Sequence, residues 1–136
     1  MRIGVTGGRD FGNRELVEYA FDKYVTVNDI IIEGEARGAD SLCREVADSR
    51  GIEIEKHPAD WNGPCGPECP PNHRRKNKGD VRHGGSDDYC PAAGPRRNRA
   101  MLDSGLDFLL VFPGGIGTQN MISICQEAGV KGVRFF

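Results

Sequence analysis

Apolar and polar positions alternate from Met1 to Thr6 as in a short strand, and the alternation breaks at Gly7-Gly8-Arg9-Asp10-Phe11. An apolar stripe at helical spacing follows, through Leu16, Val17, Ala20, Phe21 and Tyr24. Ile30-Ile31-Ile32 is apolar on both faces, the pattern of a parallel strand covered on both sides, and it ends at Gly34. Gly38-Ala39-Asp40-Ser41 then opens a second helix with Leu42, Cys43, Val46 and Ala47 inward and Gly51 as its stop. A third strand is predicted over 52–57, ending at Pro58-Ala59-Asp60-Trp61.

From Asn62 to Pro95 the periodicity disappears, and six of the chain's eight prolines fall there. Regular patterning resumes with a helix over 97–104 and a strand over 107–112. The loop Pro113-Gly114-Gly115-Ile116-Gly117-Thr118 follows, then a helix over 119–128 with Thr118 as its N-cap, and a last strand over 133–136. Alternating strands and helices imply an α/β class, a sheet covered on both faces with right-handed crossovers. The expectation is one Rossmann-like three-layer domain over 1–136. It has a mainly parallel five-stranded sheet in the order 3-2-1-4-5, and 62–95 form an irregular Cys/His/Pro-rich excursion after strand 3.

In such sheets ligands bind beyond the carboxyl ends of the strands. The loops after strands one, two and four all carry glycines and reach that edge together. In Pro113-Gly114-Gly115-Ile116-Gly117-Thr118 the missing Cβ atoms let an anion approach the backbone, and the helix behind presents its positive end; alternatively these glycines only make a tight turn. Gly7-Gly8-Arg9-Asp10 adds backbone donors and a guanidinium that can fork two phosphate oxygens. Gly34 with Arg37-Gly38-Ala39-Asp40 repeats the logic, Asp40 either bonding ribose hydroxyls or capping the second helix. Of Arg96, Arg97 and Arg99, one faces the pocket; Arg97, beside Asn98, is expected there as an exposed side chain. Cations at a helix start oppose its dipole, so something negative is expected nearby.

Composition changes the picture in two places. Nineteen glycines in 136 residues reinforce the loop reading, while 38% hydrophobic and 28% charged residues with a net charge of −2 exclude disorder and an overall polyanion binder. No apolar run is long enough to span a membrane. Five cysteines make a poor disulfide framework, so a reducing, cytoplasmic setting is expected. Cys43 and Cys125 fall on helical stripes as small buried hydrophobes. Cys65, Cys69, His73 and Cys90 offer the four ligands of a closed zinc site, with His83 competing with His73. Structural zinc would order a segment too poor in apolar surface to order itself; the bland reading is three thiols in a mobile loop. No redox cofactor is expected. Between Asn62 and Arg99 eight basic residues face four acidic ones, which suits a flap beside a phosphate site. Only Trp61 and Tyr89 are at hand for base stacking, which weakens a nucleic-acid reading.

These motifs together resemble the SLOG superfamily, and more narrowly its small YspA/YpsA-related members, found in bacteria and their phages. The blocks are Gly7-Gly8-Arg9-Asp10-Phe11, Gly34 with Arg37-Gly38-Ala39-Asp40, Pro58-Ala59-Asp60-Trp61, Ala93-Gly94 with Arg97-Asn98 and Met101, and Pro113-Gly114-Gly115 with Gly117-Thr118. The resemblance implies a Rossmann-like nucleotide-binding fold and fixes no single reaction. The related LOG enzymes remove ribose 5-phosphate from cytokinin nucleotides using an arginine and the glutamate of PGGxGTxxE. Arg97 and Met121 stand at those positions, and a thioether is no general base. Hydrolysis would need Asp40, Asp10 or Glu127 instead, so Arg97 and Asp40 are the catalytic candidates. Another relative, DNA-processing protein A, binds single-stranded DNA on a similar fold. The expected partner is therefore a nucleotide-derived small molecule, held by a sensor or sequestering domain. A nucleotide hydrolase and a single-stranded DNA-binding module are the alternatives; no membrane partner is expected, and self-association into a homo-oligomer is left open.

Overall fold

The computed structural model describes residues 1–76 and 88–136. In chain order these residues form β1 (Arg2–Thr6), α1 (Arg14–Tyr24), β2 (Ile30–Glu33), α2 (Ala39–Ser49) and β3 (Glu53–Lys56). After the excursion's small strands β4 (Arg75–Lys76) and β5 (Asp88–Tyr89) come α3 (Ala93–Asp103), β6 (Phe108–Val111), α4 (Ile116–Glu127) and β7 (Gly132–Arg134). The five long strands pair in the order β3-β2-β1-β6-β7. Every pairing among them is parallel. This is the predicted α/β sheet and strand order.

Period-two patterning divides the core between the two faces. On β2, Ile31 packs with Val17, Phe21, Cys43 and Val46 of α1 and α2, while Ile32 packs with Met101, Met121 and Cys125 of α3 and α4. On β6, Leu110 faces the first cluster, and Leu109 and Val111 the second. Burying side chains such as Ile31 and Ile32, both 0% exposed, contributes roughly 1.5–3 kcal/mol each. That is why this isoleucine run can only be a central strand. Cys43 and Cys125 are buried within these clusters as expected.

The ends of elements differ from the sequence reading. α3 starts at Ala93 rather than Arg97, because the Ala93 amide turns back to the Cys90 carbonyl at 3.1 Å. Pro95 then sits in the first turn, where no amide is needed. α4 starts at Ile116 with Gly115 as N-cap, so Thr118 lies inside the first turn, 3% exposed, and is not the cap. Strand three is shorter at both ends, and the last strand begins one residue earlier and stops at Arg134. The excursion is also less irregular than its composition suggests, since β4 and β5 pair as an antiparallel hairpin.

Two glycines let the loops at the carboxyl edge interlock. Gly38 has φ +80, and a Cβ there would strike the backbone of Gly8 and Arg9. A Cβ on Gly114 would lie 2.7 Å from the Gly8 nitrogen and 2.9 Å from the Gly7 carbonyl carbon. Backbone bonds fix the junction: the Gly8 amide donates to the Pro113 carbonyl at 2.7 Å, and the Ala39 amide to the Gly8 carbonyl at 3.1 Å.

Candidate functional site

Beyond the carboxyl ends of β1, β2 and β6 lies a cleft of about 1020 Å³. Gly7, Gly8, Arg9 and Asp10 line it from the loop after β1, Asp40 from α2, Arg97 and Asn98 from α3, Pro113, Gly114 and Gly115 from the loop after β6, and Gly117 and Thr118 from the first turn of α4. The structure thus brings twelve of the sequence-predicted ligand residues to one cavity. Gly34, Arg37, Gly38 and Ala39 are not among its lining residues. Arg37 is 63% exposed and stands 3.7 Å from Asp10, itself 94% exposed.

Interlocking changes what each loop has to offer. The amides of Gly8 and Ala39 are spent on the loop junction. The opening amides of α4 have no intrahelical acceptor, as at any helix start, and they belong to residues on the cleft wall. A Cβ on Gly115 or Gly117 would meet nothing within 4 Å. Those two glycines face open space, whereas the missing Cβ atoms of Gly7, Gly8, Gly38 and Gly114 make room for the protein's own atoms.

Arg97 is not the exposed side chain expected. Half-buried, it donates through Nη1 to the Gly34 carbonyl and through Nε to Asn98 Oδ1 at 3.1 Å. Burial lowers its pKa, opposed by the charges of Asp40 and Glu33. Asp40 does not cap α2, whose N-cap is Gly38. Its Oδ2 accepts the amides of Gly34 and Ala36, both at 3.2 Å. Burial pushes this carboxyl above its usual range, against the pull of Arg97 and those two amides. Asn98 donates to the Gly117 carbonyl at 3.2 Å and to Asn120 Oδ1 at 2.9 Å. Met121 is 0% exposed in the core, and Glu127 is the exposed last residue of α4, absent from the cleft wall.

Glu33 was not singled out by the sequence. Fully buried at the end of β2, it accepts the Glu35 amide at 2.6 Å and lies 3.5 Å from Arg44, while its Oε1 has no partner. Burial raises its pKa. Its bond holds Glu35 at φ 55, a left-handed conformation a glutamate rarely adopts. Only coordinates reveal this, because an acidic residue closing an isoleucine run reads as an ordinary strand end.

Trp61 and, from the excursion, Arg75, Tyr89 and Pro91 also line the cleft. Cys65, Cys69, His73 and Cys90 place one ligand atom each within 4.8 Å of one another. Cys69 Sγ and Cys90 Sγ are 3.7 Å apart; two sulfurs at about 2.3 Å on one tetrahedral zinc would be separated by about 3.8 Å. Among the described residues the buried His73 Nε2 has no hydrogen-bond partner. These residues fit, and could hold, a metal ion such as zinc. His83 lies outside the described residues. Burial pushes the Cys90 thiol up, but bonds from Cys65, the Ala92 amide and Arg96 outweigh it and bring it down to about 6. Hydrogen bonding to Cys90 drives Cys65 up to about 11. The negative partner expected at the start of α3 is here: Arg96 donates to Glu68 at 2.9 Å and to the sulfurs of Cys69 and Cys90, each at 3.5 Å.

Among the described residues no helix is long and apolar enough to cross a membrane. The chain is similar in fold to DNA processing protein A from Streptococcus pneumoniae, with a TM-score of 0.51 and 15% sequence identity. That likeness covers 97% of this chain and 58% of the other, so the chain spans little more than half of that protein's length. No curated protein sequence matches the chain. Residues 1–63 match the model of the family described as YAcAr, the YspA, cpYpsA-related SLOG family, so somewhat less than half of the chain is similar to that family.

Proposed function

We propose that the cleft binds a phosphorylated, nucleotide-derived ligand, with a phosphate against Gly115–Thr118 and Arg9 within reach, and that the chain acts as a sensor or sequestering domain. One observation carries the reading. Where Gly7, Gly8, Gly38 and Gly114 make room for the chain itself, Gly115 and Gly117 leave open space at the head of α4, inside a cleft. Bare backbone at the positive end of a helix suits an anion. Met121, where the LOG pattern has glutamate, is sealed in the core, which favours binding over LOG-type hydrolysis. The likeness of residues 1–63 to the YspA, cpYpsA-related SLOG family supports a nucleotide-derived ligand, and the cysteine cluster supports zinc in a structural role.

Calorimetric titration of the four nucleoside 5′-monophosphates against the matching nucleosides tests this. The expected result is saturable binding of at least one nucleotide, with its nucleoside at least tenfold weaker. Equal affinity for nucleoside and nucleotide, or no binding of any nucleotide, would overturn it.

A further inference from the structure

The cleft is larger than a phosphate requires; about 300–1,000 Å³ is room for a whole small-molecule ligand. Two aromatic rings share this cleft with the glycine loops. The rings of Trp61 and Tyr89 meet edge to face, centroids 5.9 Å apart with planes at 85°. Arg9, from the first glycine loop, lies 5.9 Å from the centre of the Trp61 ring. The far edge of that ring rests on the first turn of α3, where a Cβ on Gly94 would come within 2.9 Å of it.

Both rings are tied to the cysteine cluster through main chain. The Cys90 amide donates to the Trp61 carbonyl at 3.1 Å, and Tyr89 immediately precedes Cys90. On the other side Arg74, next to His73, bonds the Gly63 carbonyl at 2.7 Å and the Asp88 carboxylate at 2.8 Å. Residues beside two of the four ligands thus hold the chain on either side of the ring pair. Pro64, Pro67, Glu68, Pro70 and Pro71 of this segment are exposed, and prolines and charges bury too little apolar surface to fold alone.

We propose that the metal-bound cluster builds the ring-recognition half of the cleft. Trp61 and Tyr89 take the nucleobase of a ligand whose phosphate sits at Gly115–Thr118, and they do so only when the cluster holds its metal. This rests on the phosphate reading above. Stacking tolerates every base because each has a π-face, so the wall selects nucleotides over sugar phosphates rather than one base over another.

Trp61 is the chain's single tryptophan, so its fluorescence reports on this wall alone. Zinc added to the metal-free protein should change Trp61 emission and saturate at one equivalent. Binding of the four nucleoside 5′-monophosphates and of ribose 5-phosphate is then compared in zinc-loaded protein, chelator-stripped protein and the Trp61→Leu variant, with circular dichroism reporting the fold of each. The best nucleotide should bind loaded protein at least tenfold tighter than ribose 5-phosphate. That ratio should fall towards one in the stripped protein and in Trp61→Leu, with ribose 5-phosphate affinity unchanged. A ratio that survives metal removal or loss of Trp61, an absent ratio in loaded protein, or an emission indifferent to bound zinc overturns the inference and leaves the phosphate reading standing. Loss of all binding, ribose 5-phosphate included, overturns both.

Discussion

The guanidinium of Arg97 bonds the main-chain carbonyl of Gly34, 63 residues earlier in the chain. Asn98, its neighbour, bonds the Gly117 carbonyl, so two adjacent side chains of α3 tie the loop after β2 to the first turn of α4. Arg97→Ala would leave the Gly34 carbonyl without its charged donor and the buried Asp40 without its opposing charge. A charge-assisted bond is worth about 1.5–3 kcal/mol. The ligand-free variant should therefore melt about 5–10 °C lower, besides binding nucleotide more weakly. A melting temperature equal to wild type would mean that Arg97 serves the ligand alone.

Gly114 and Gly115 are neighbours with opposite roles. Alanine at Gly114 would push into Thr118 and the backbone of Gly7 and Gly8, so Gly114→Ala should destabilise the protein by about 1–3 kcal/mol through overpacking. Valine at Gly115 would have a Cβ that meets nothing within 4 Å. It should keep stability within about 1 kcal/mol and abolish nucleotide binding by filling the phosphate's place. Thermal melts paired with calorimetric titrations separate the two. Unchanged binding in Gly115→Val would show that this glycine serves only the turn.

How much of this was legible beforehand follows from the range of each interaction. Ile30-Ile31-Ile32, the glycine loops and the crossover rule suffice for the sheet and its order, because hydrophobic periodicity and chirality are local and strong. The cysteine–histidine set is legible too, since ligand types declare themselves. The Arg97–Gly34 and Asn98–Gly117 bonds were not, because main-chain acceptors leave no trace in the sequence. Nor does composition tell Gly115, open to the cleft, from Gly114, packed against a neighbouring loop. Trp61 and Tyr89 were visible as aromatics, but the Cys90–Trp61 backbone bond that stations them beside the cluster belongs to tertiary structure. Glu33 shows the limit: no pattern marks a carboxylate buried to hold a left-handed turn.

Acid sensitivity should centre on Glu55. Its carboxylate takes two bonds from Arg2, at 3.1 and 2.6 Å, and lies 2.7 Å from His57 Nε2. The Arg2 fork first, and His57 second, hold its pKa at about 2, against about 4.3 in an unfolded chain. A depressed carboxylate stabilises the fold fully above the unfolded value, and that contribution fades as pH falls from there through about 2. Glu55 is 37% exposed, so screening keeps the effect on the order of 1 kcal/mol. Urea unfolding should find Glu55→Gln less stable than wild type at pH 6, with the gap closing by pH 2. A gap independent of pH would mean that the pair matters by shape rather than by charge.

One zinc per chain is the expectation for the cysteine cluster, and a residue outside the ligand set helps to distinguish it from three thiols that happen to lie close. Arg96 bonds the sulfurs of Cys69 and Cys90 at 3.5 Å, a partner suited to thiolates carrying the charge a metal induces, and such outer partners typically change metal affinity by about 10- to 100-fold. Elemental analysis of protein made without chelator should give one zinc per chain in wild type and well under one in Cys90→Ser. Arg96→Ala should still bind zinc, but should surrender it to a competing chelator about 10- to 100-fold more readily. With three thiolates and an imidazole as ligands, cobalt substitution should add intense visible bands of tetrahedral thiolate character. Wild-type protein with well under one zinc per chain, and no cobalt spectrum after reconstitution, would show that the four side chains meet without a metal.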